Sequence, residues 1–538
     1  MRKATGIVIL LFILIASCKK YTINDVKIVA WDTEIAFPLV NSNFSVSDIF
    51  DLNDSSILEY IDEESGLLGI TYSGTILSYD ASDILEVSDQ HLDQAIQYPD
   101  PGLSFSLIDT LYQSQVFSIA FDTQDQNDVE VKYLSFLDGS LDLNINSDLA
   151  YVTHIQIRIP YLKKNGLPYF FESEVMGGEI INDTEVLNGY LMDLTHGNLG
   201  FNQLKINYRL IVNYDPALPS TGDNMAIGLH FNEAKMNYAI GYFGDNTVAL
   251  NTDTIKIAIF NSTIQGHFQF IDPYMFIDIS NSFGFPTQVE VTTFKSVNQN
   301  SGLVTDLFLE GITEAPFEIS YPLQLGDSTL DEYYFDNSNS NIEVVLNDGD
   351  KYVIWGIDAQ SNPNGPGSNF NFITHNSKME VNTRLTVPLK GYAWDWIFQD
   401  TTYVNSNEVD LDYPDEIEEL SLRLIVDNGF PAEGVLQIYT TDSLFQITDS
   451  LFDGGPAQLL ESGILVNGIV SESSKTITDI PVSDEKRDHV INAHSFITSA
   501  MMQTTNGTQQ EVIQIYEDYS VGIMMGVKAK VKIDPESL

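Results

Sequence analysis

Cysteine occurs once in 538 residues, at position 18, so the chain has neither a disulfide framework nor a thiolate cluster for zinc or iron–sulfur chemistry. Basic residues are scarce too: 25 Lys and Arg stand against 76 Asp and Glu, a formal net charge of −51. That balance repels phosphate backbones and excludes nucleic acid as a partner. It equally excludes attachment to anionic lipid through basic side chains. Familiar catalytic signatures are missing. There is no Gly-x-Ser-x-Gly elbow, no His-Glu-x-x-His and no Gly-x-x-x-x-Gly-Lys-Ser/Thr loop. The eight histidines are scattered, and His489 and His494, five apart, do not share a helix face for one metal.

Apolar material is plentiful. Hydrophobic residues make up 43% of the chain and aromatics 11%, spread along its whole length, which argues against disorder. The length predicts about three or four domains.

The N-terminus carries the most specific signal. Arg2 and Lys3 form a cationic head, Ala4 to Ser17 is uncharged, and Ile7 to Ile15 is almost continuously aliphatic. This run falls short of the roughly 20 residues that span a bilayer and has the proportions of a secretory signal. It ends in Ile15-Ala16-Ser17-Cys18. The arrangement resembles the lipobox of bacterial lipoproteins, in which the cysteine receives diacylglycerol and becomes the first mature residue. The resemblance implies a signal peptide over 1–17, lipid on Cys18 and a polar tether over 18–30. Two or more acyl chains anchor a protein stably to a membrane. Loss of Arg2 and Lys3 leaves a mature charge of −53. Lys19 is not the aspartate of inner-membrane retention, so the outer membrane is expected, with the cell surface as the favoured side.

The rest reads as β-structure. Leu141, Leu143 and Ile145 alternate with polar residues, as do Ile155, Ile157 and Ile159, then Ile206, Tyr208, Leu210 and Val212. Val527, Ala529, Val531 and Ile533 alternate with Lys528, Lys530 and Lys532, a lysine row that suits a solvent-facing edge strand. Asn467-Gly468 between apolar runs predicts a tight hairpin, and Asn165-Gly166, Asn188-Gly189 and Asp138-Gly139 are similar punctuation. One helix is expected late, over 483–506, capped by Ser483 and with Val490, Ala493, Ile497, Ala500 and Met501 on one face. A shorter one is expected around Ser82 to Ile96.

Three segments resemble one another: LDLNINSDLAYVTHIQIRIP from Leu141, MFIDISNSFGFPTQVEV from Met275 and LSLRLIVDNGFPAEGVLQI from Leu420. Each reads as strand, turn, strand, at near-equal spacing. This predicts an all-β chain of tandem β-sandwich modules with one C-terminal helix. The divisions are a mixed segment over 31–104, then modules over 105–240, 241–385 and 386–538. Trp31-Asp32 with Phe37-Pro38-Leu39, the stretch Asp272-Pro273 to Pro286, and the C-terminal region to Ile533 resemble β-rich lipoproteins of Bacteroidota. That resemblance brings no activity with it.

Two features bear on ligands. Tyr392, Trp394 and Trp396 would share one face of a strand, either as core between sheets or as a platform for sugar rings. Asp122, Asp125 and Asp128, and likewise Asn347 to Asp350, form acidic loops that read as solvated turns with Ca2+ as the alternative. No cofactor is otherwise implied. The leading expectation is a non-enzymatic binding or structural lipoprotein of the envelope, with an outer-membrane protein or a glycan as partner. The alternatives are a glycan-binding accessory protein of nutrient uptake and a hydrolase assembled from acidic loops.

Overall fold

The computed structural model describes residues 31–533 apart from 50–55, 98–107, 122–128, 219–223, 258–264, 299–300, 348–350, 367–370, 404–416 and positions 199, 216 and 246. Cys18, the signal segment, the tether and the loop of Asp122, Asp125 and Asp128 lie outside the described residues.

The chain is all-β, with its strands gathered into several antiparallel sheets. Period-2 patterning decides which face each strand buries. In Thr153–Lys164 and Gln203–Asn213, Ile155, Ile157, Ile159, Ile206, Tyr208, Leu210 and Val212 are at most 2% exposed. Each such aliphatic side chain contributes about 1.5–3 kcal/mol on burial, which lets the faces hold by packing.

A ten-stranded sheet is organised around Val129–Ser147, Thr153–Lys164 and Asn224–Phe243. Two further sheets face one another. One contains Tyr274–Asn281, Lys378–Pro388 and Leu67–Asp80, and the other contains Thr287–Asn298 and Lys351–Ser361. Ile277, Ile279, Val289, Trp355 and Val381 meet between them around a gap of about 50 Å³. A third region joins a four-stranded sheet (Trp31–Ser45, Ser520–Ile533, Ile417–Asn428, Ser474–Val482) to a seven-stranded one that includes Gln265–Phe270, Lys390–Tyr403, Ser495–Thr504 and Ala432–Thr441. Across that seam Ser42 Oγ donates to Asp400 Oδ2 at 3.2 Å.

Strands are exchanged between distant stretches of sequence. Trp31–Ser45 pairs with Ser520–Ile533, Leu67–Asp80 with Lys378–Pro388, and Gln90–Gln97 with Asn224–Phe243. The segment 31–104 therefore contributes to three different sheets. The expected divisions at 240/241 and 385/386 fall inside Asn224–Phe243 and Lys378–Pro388.

The repeated segments are corners rather than hairpins. Tyr274–Asn281 and Thr287–Asn298 lie in different sheets, and so do Ile417–Asn428 and Ala432–Thr441. In the first copy Val129–Ser147 and Thr153–Lys164 share a sheet, with Tyr190–Asp193 between them. At each corner a buried polar side chain at the strand end accepts the N–H two residues on. Asn281 does this for Phe283 at 3.0 Å, Asn428 for Phe430 at 2.9 Å, and Ser147 for Leu149 at 3.3 Å. Phe283, Phe430 and Leu149 are 1–2% exposed and plug the turn. A local hydrogen bond and an apolar plug turn the chain without the positive-φ pair of a tight hairpin.

Three further expectations are corrected. The helix over 483–506 is only Asp484–Ile491, and Ser495–Thr504 is a central strand. Phe496, Thr498, Ala500, Met502 and Thr504 are buried in period 2, while Met501 is 45% exposed. The apolar spacing that fits a helix fits a strand paired on both sides equally well, and tertiary pairing decides. Around 82–96 there is a 3-10 turn, Ala81–Asp83, and then the strand Gln90–Gln97. The lysine row lies on the solvent face of a central strand. Ser520–Ile533 runs between Trp31–Ser45 and Ile417–Asn428, with Lys530 in register with Glu34 on one side and Glu419 on the other. Lys530 Nζ sits 3.2 Å from Glu418 and 3.9 Å from Glu419. The lysines complement acidic neighbours here instead of guarding an edge.

Asn467-Gly468 and Asn165-Gly166 do close hairpins, with φ of 57° and 79°, and 52° and 81°. Asp138-Gly139 is instead a bulge within Val129–Ser147, opposite a register shift between Asn232 and Lys235. Asn188-Gly189 links Ile180–Val186 to Tyr190–Asp193, which pair with other strands and not with each other.

Candidate functional site

The aromatic segment begins on Lys390–Tyr403, where Tyr392, Ala393 and Trp394 pair with Gln269, Phe268 and His267. Ala393, Phe268 and Phe270 are buried between the sheets, so Tyr392 and Trp394 stand on the opposite, outward face and are half-buried. Asp395 then adopts φ +53°, and the register slips from His267↔Trp394 to Gln265↔Ile397. That bulge breaks the alternation on which the three-residue face depended. Position 396 pairs with buried Met502, and position 397 with exposed Met501. The side chain of Trp396 lies outside the described residues.

His267 takes the place expected of the second tryptophan. Its ring lies 5.1 Å from that of Trp394, within 16° of parallel, and Tyr392 follows 6.1 Å from Trp394 at 18°. Rings lying edge to edge in one plane would hold their centroids farther apart than 5.1 Å, so His267 covers part of the Trp394 face in offset stacking. Sequence reasoning missed His267, because cross-strand pairing 127 residues away has no local signal.

A second outward aromatic group was also missed. Tyr274, Phe276 and Tyr334 cluster with ring centroids 5.1–6.1 Å apart, and the Arg384 guanidinium lies 4.8 Å over Phe276.

A concavity lies elsewhere, where the four-stranded sheet meets the hairpin of Ile464–Val466 and Ile469–Glu472. It encloses about 550 Å³ and draws its walls from 41–43, 427–429, 470–473 and 518–524. Tyr519 anchors one side: its hydroxyl accepts the Val470 N–H at 2.8 Å. Burial pushes its pKa up to about 12, with that hydrogen bond opposing and Tyr516 and Asp518 adding to the rise. No motif announces this cleft, because four separated segments build it.

Among the described residues no group of three or more His, Asp or Glu side chains is placed to hold a metal ion. Among the described residues, the carboxylates with a shifted pKa, Asp62, Asp336, Glu380 and Asp479, all move down. Side-chain hydrogen bonds from Ser65, Ser338, Lys378 and Arg423 respectively are the leading causes.

These features define an all-β protein of several sheets with a polar cleft and two outward aromatic groups. No family model matches the chain, and no curated protein matches it. Among solved structures, the chain is similar to a candidate secreted protein from Parabacteroides distasonis, at 9% identity over 65% of this chain and 99% of that one, with a TM-score of 0.16. It is similar to infectious bursal disease virus of the Gt strain at 9% identity, over 85% of this chain and 84% of that one, with a TM-score of 0.14. At these TM-scores the likenesses carry neither a shared architecture nor an activity.

Proposed function

We propose that the chain is a lipid-anchored protein of the outer membrane, facing outward, that binds or scaffolds a partner and does not transform it. The observation that carries this reading is the sole cysteine at the end of Ile15-Ala16-Ser17-Cys18, behind a cationic head and an aliphatic run. The sheet architecture suits such an anchor. The strand that follows the tether, Trp31–Ser45, pairs along its length with Ser520–Ile533, so a load on the tether is met by a full ladder. A high negative charge keeps the tethered body soluble and away from acidic partners.

Mass spectrometry of the full chain from native membranes tests this. The expected mature N-terminus is Cys18 carrying diacylglycerol and an amide-linked acyl chain, and Cys18→Ser should leave the membrane fraction. A bare N-terminus in the soluble fraction would overturn it. Digestion by added protease on intact cells reports the outward face.

The row of Tyr392, Trp394 and His267 favours a second reading, a glycan-binding accessory protein of nutrient uptake. Loss of polysaccharide binding in Trp394→Ala, with folding retained, is its test.

A further inference from the structure

The ten-stranded sheet ends in the strand Ile108–Ser118. This strand pairs with Gln203–Asn213 on one side, and among the described residues no strand pairs with its other side. The pairing runs through all 11 residues, from Ile108↔Asn213 to Ser118↔Gln203, without a register shift, so the strand presents its other side with the same regularity. Such an edge is a row of backbone donors and acceptors that templates a further strand, and natural edges are blunted by Lys, Pro, bulges or shortness. Other end strands of this chain follow that rule. Trp31–Ser45 carries Pro38 beside a register shift, Ser474–Val482 carries Lys475 and Pro481, and Ser56–Asp62 slips between Tyr60 and Asp62. Ile108–Ser118 has no Lys, Arg, Pro or Gly, and its one charge, Asp109, stands next to its start.

The side chains select what can pair there. The strand mirrors itself about Ser114: Gln113 answers Gln115, Tyr112 answers Val116, and Leu111 answers Phe117. A second copy laid antiparallel, Ser114 against Ser114, would set amide opposite amide, aromatic opposite β-branched, and apolar opposite apolar. Cross-strand pairs of these kinds stabilise sheets. Tyr112 and Val116 share the outward face and are 71% and 37% exposed. Gln113 and Gln115 lie on the opposite face, in register with buried Tyr208 and Ile206, and neither has a hydrogen-bond partner among the described residues. The second copy would supply each with an amide. The net charge opposes self-association, but the surroundings of this edge do not. Lys205 and Arg209 lie on the adjacent strand and Arg158 on the next, and the Arg209 guanidinium sits 5.4 Å over the Tyr112 ring.

We propose that two copies of this chain associate through Ile108–Ser118, forming one continuous sheet across a two-fold axis at Ser114. A two-fold contact of this kind is closed: each copy spends its edge on the other, and growth stops at a dimer. A strand of unrelated sequence would satisfy the backbone equally well, but only a second copy matches the mirrored side chains. The proposal concerns assembly and does not rest on the lipid at Cys18.

The test is analytical ultracentrifugation with thiol cross-linking, on the full chain in detergent carrying Cys18→Ser, which removes the one native thiol. The mass of two copies should appear at protein concentrations up to about 100 µM, the weak end of specific association. Added NaCl should tighten the dimer by screening the net charge. Ser114→Cys, on the axis, should form a disulfide between copies, because directly opposed residues hold their Cα atoms about 4.5–5.5 Å apart. Val116→Cys should not, since the two positions 116 would stand four residues apart along the strands, roughly 14 Å. Ser114 is exposed and donates to Asn207 Oδ1 at 2.7 Å. Ser114→Lys would set two ammonium groups against each other and should weaken association at least tenfold, with the unfolding midpoint in dilute solution unchanged. A single-copy mass throughout would overturn the proposal, as would a dimer that survives Ser114→Lys or links at 116 rather than 114. A peptide of residues 110–118 bound by a chain that stays single would overturn it in favour of a strand from another protein.

Discussion

Asn428 holds Phe430 in place: its Oδ1 accepts the Phe430 N–H at 2.9 Å while its amide nitrogen donates to the carbonyls of Ala432 and Glu461. Asn281 does the same for Phe283, with Ser320 as its amide partner. Both asparagines are 1% exposed. Each corner thus sends the chain from one sheet into another around a buried aromatic plug.

Asn428→Ala should cost roughly 3 kcal/mol or more, because a buried N–H and two carbonyls lose their partner at about 1–3 kcal/mol each before relaxation. Asn281→Ala, with one carbonyl fewer, should cost less. Urea unfolding with a constant m-value measures both, and a change below about 0.5 kcal/mol at either corner would remove this account of the turn.

Two glycines give an opposed pair. A Cβ on Gly434 would lie 2.3 Å from the Met501 carbonyl oxygen, backbone against backbone. Gly434→Ala should destabilise by about 1–3 kcal/mol through overpacking. Gly74, with nothing within 4 Å of an added Cβ, should tolerate alanine or gain a few tenths of a kcal/mol. Thermal midpoints of the two variants should move in different directions.

Lys530→Glu would place an acid in register with Glu34 and Glu419. Like charges directly opposite each other destabilise by about 0.2–1 kcal/mol per pair, so a loss near 1 kcal/mol is expected. Added NaCl should recover part of it by screening, and Lys530→Gln should fall in between. An unchanged midpoint at low salt would show that the lysine row does not compensate its neighbours.

Burial pushes the tyrosines Tyr79, Tyr190 and Tyr519 up to about 12, and Tyr169 and Tyr208 higher still. A folded pKa above the unfolded value near 10 means stability that is complete below pH 10 and lost as pH rises through the folded values. Absorbance at 295 nm should therefore show a tyrosine class silent at pH 10 in the folded chain and titrating there once denatured. A single transition near pH 10 in both states would contradict the burial.

Much of the fold was legible locally. Strands such as Thr153–Lys164 bury every second residue, and period 2 has no competing local reading there. Asn467-Gly468 closes a hairpin because two positive-φ positions in a row suit Asn-Gly. The segment 495–504 was not legible, since its apolar residues fit either period and only pairing on both flanks selects the strand. At the aromatic segment, the residue types pointed to the right strand. The bulge at Asp395 and the partner His267 depend on Gln265–Phe270, which the chain reaches long before.

Composition and order alone established an acidic β-protein with a single cysteine, because charge, cysteine count and period 2 are properties of the chain and of neighbours along it. Tertiary structure decided which strands share a sheet, where the corners fall and where the polar cleft opens. Those depend on segments hundreds of residues apart meeting by burial of complementary faces, and a pattern read along one segment holds no record of the partner it will meet.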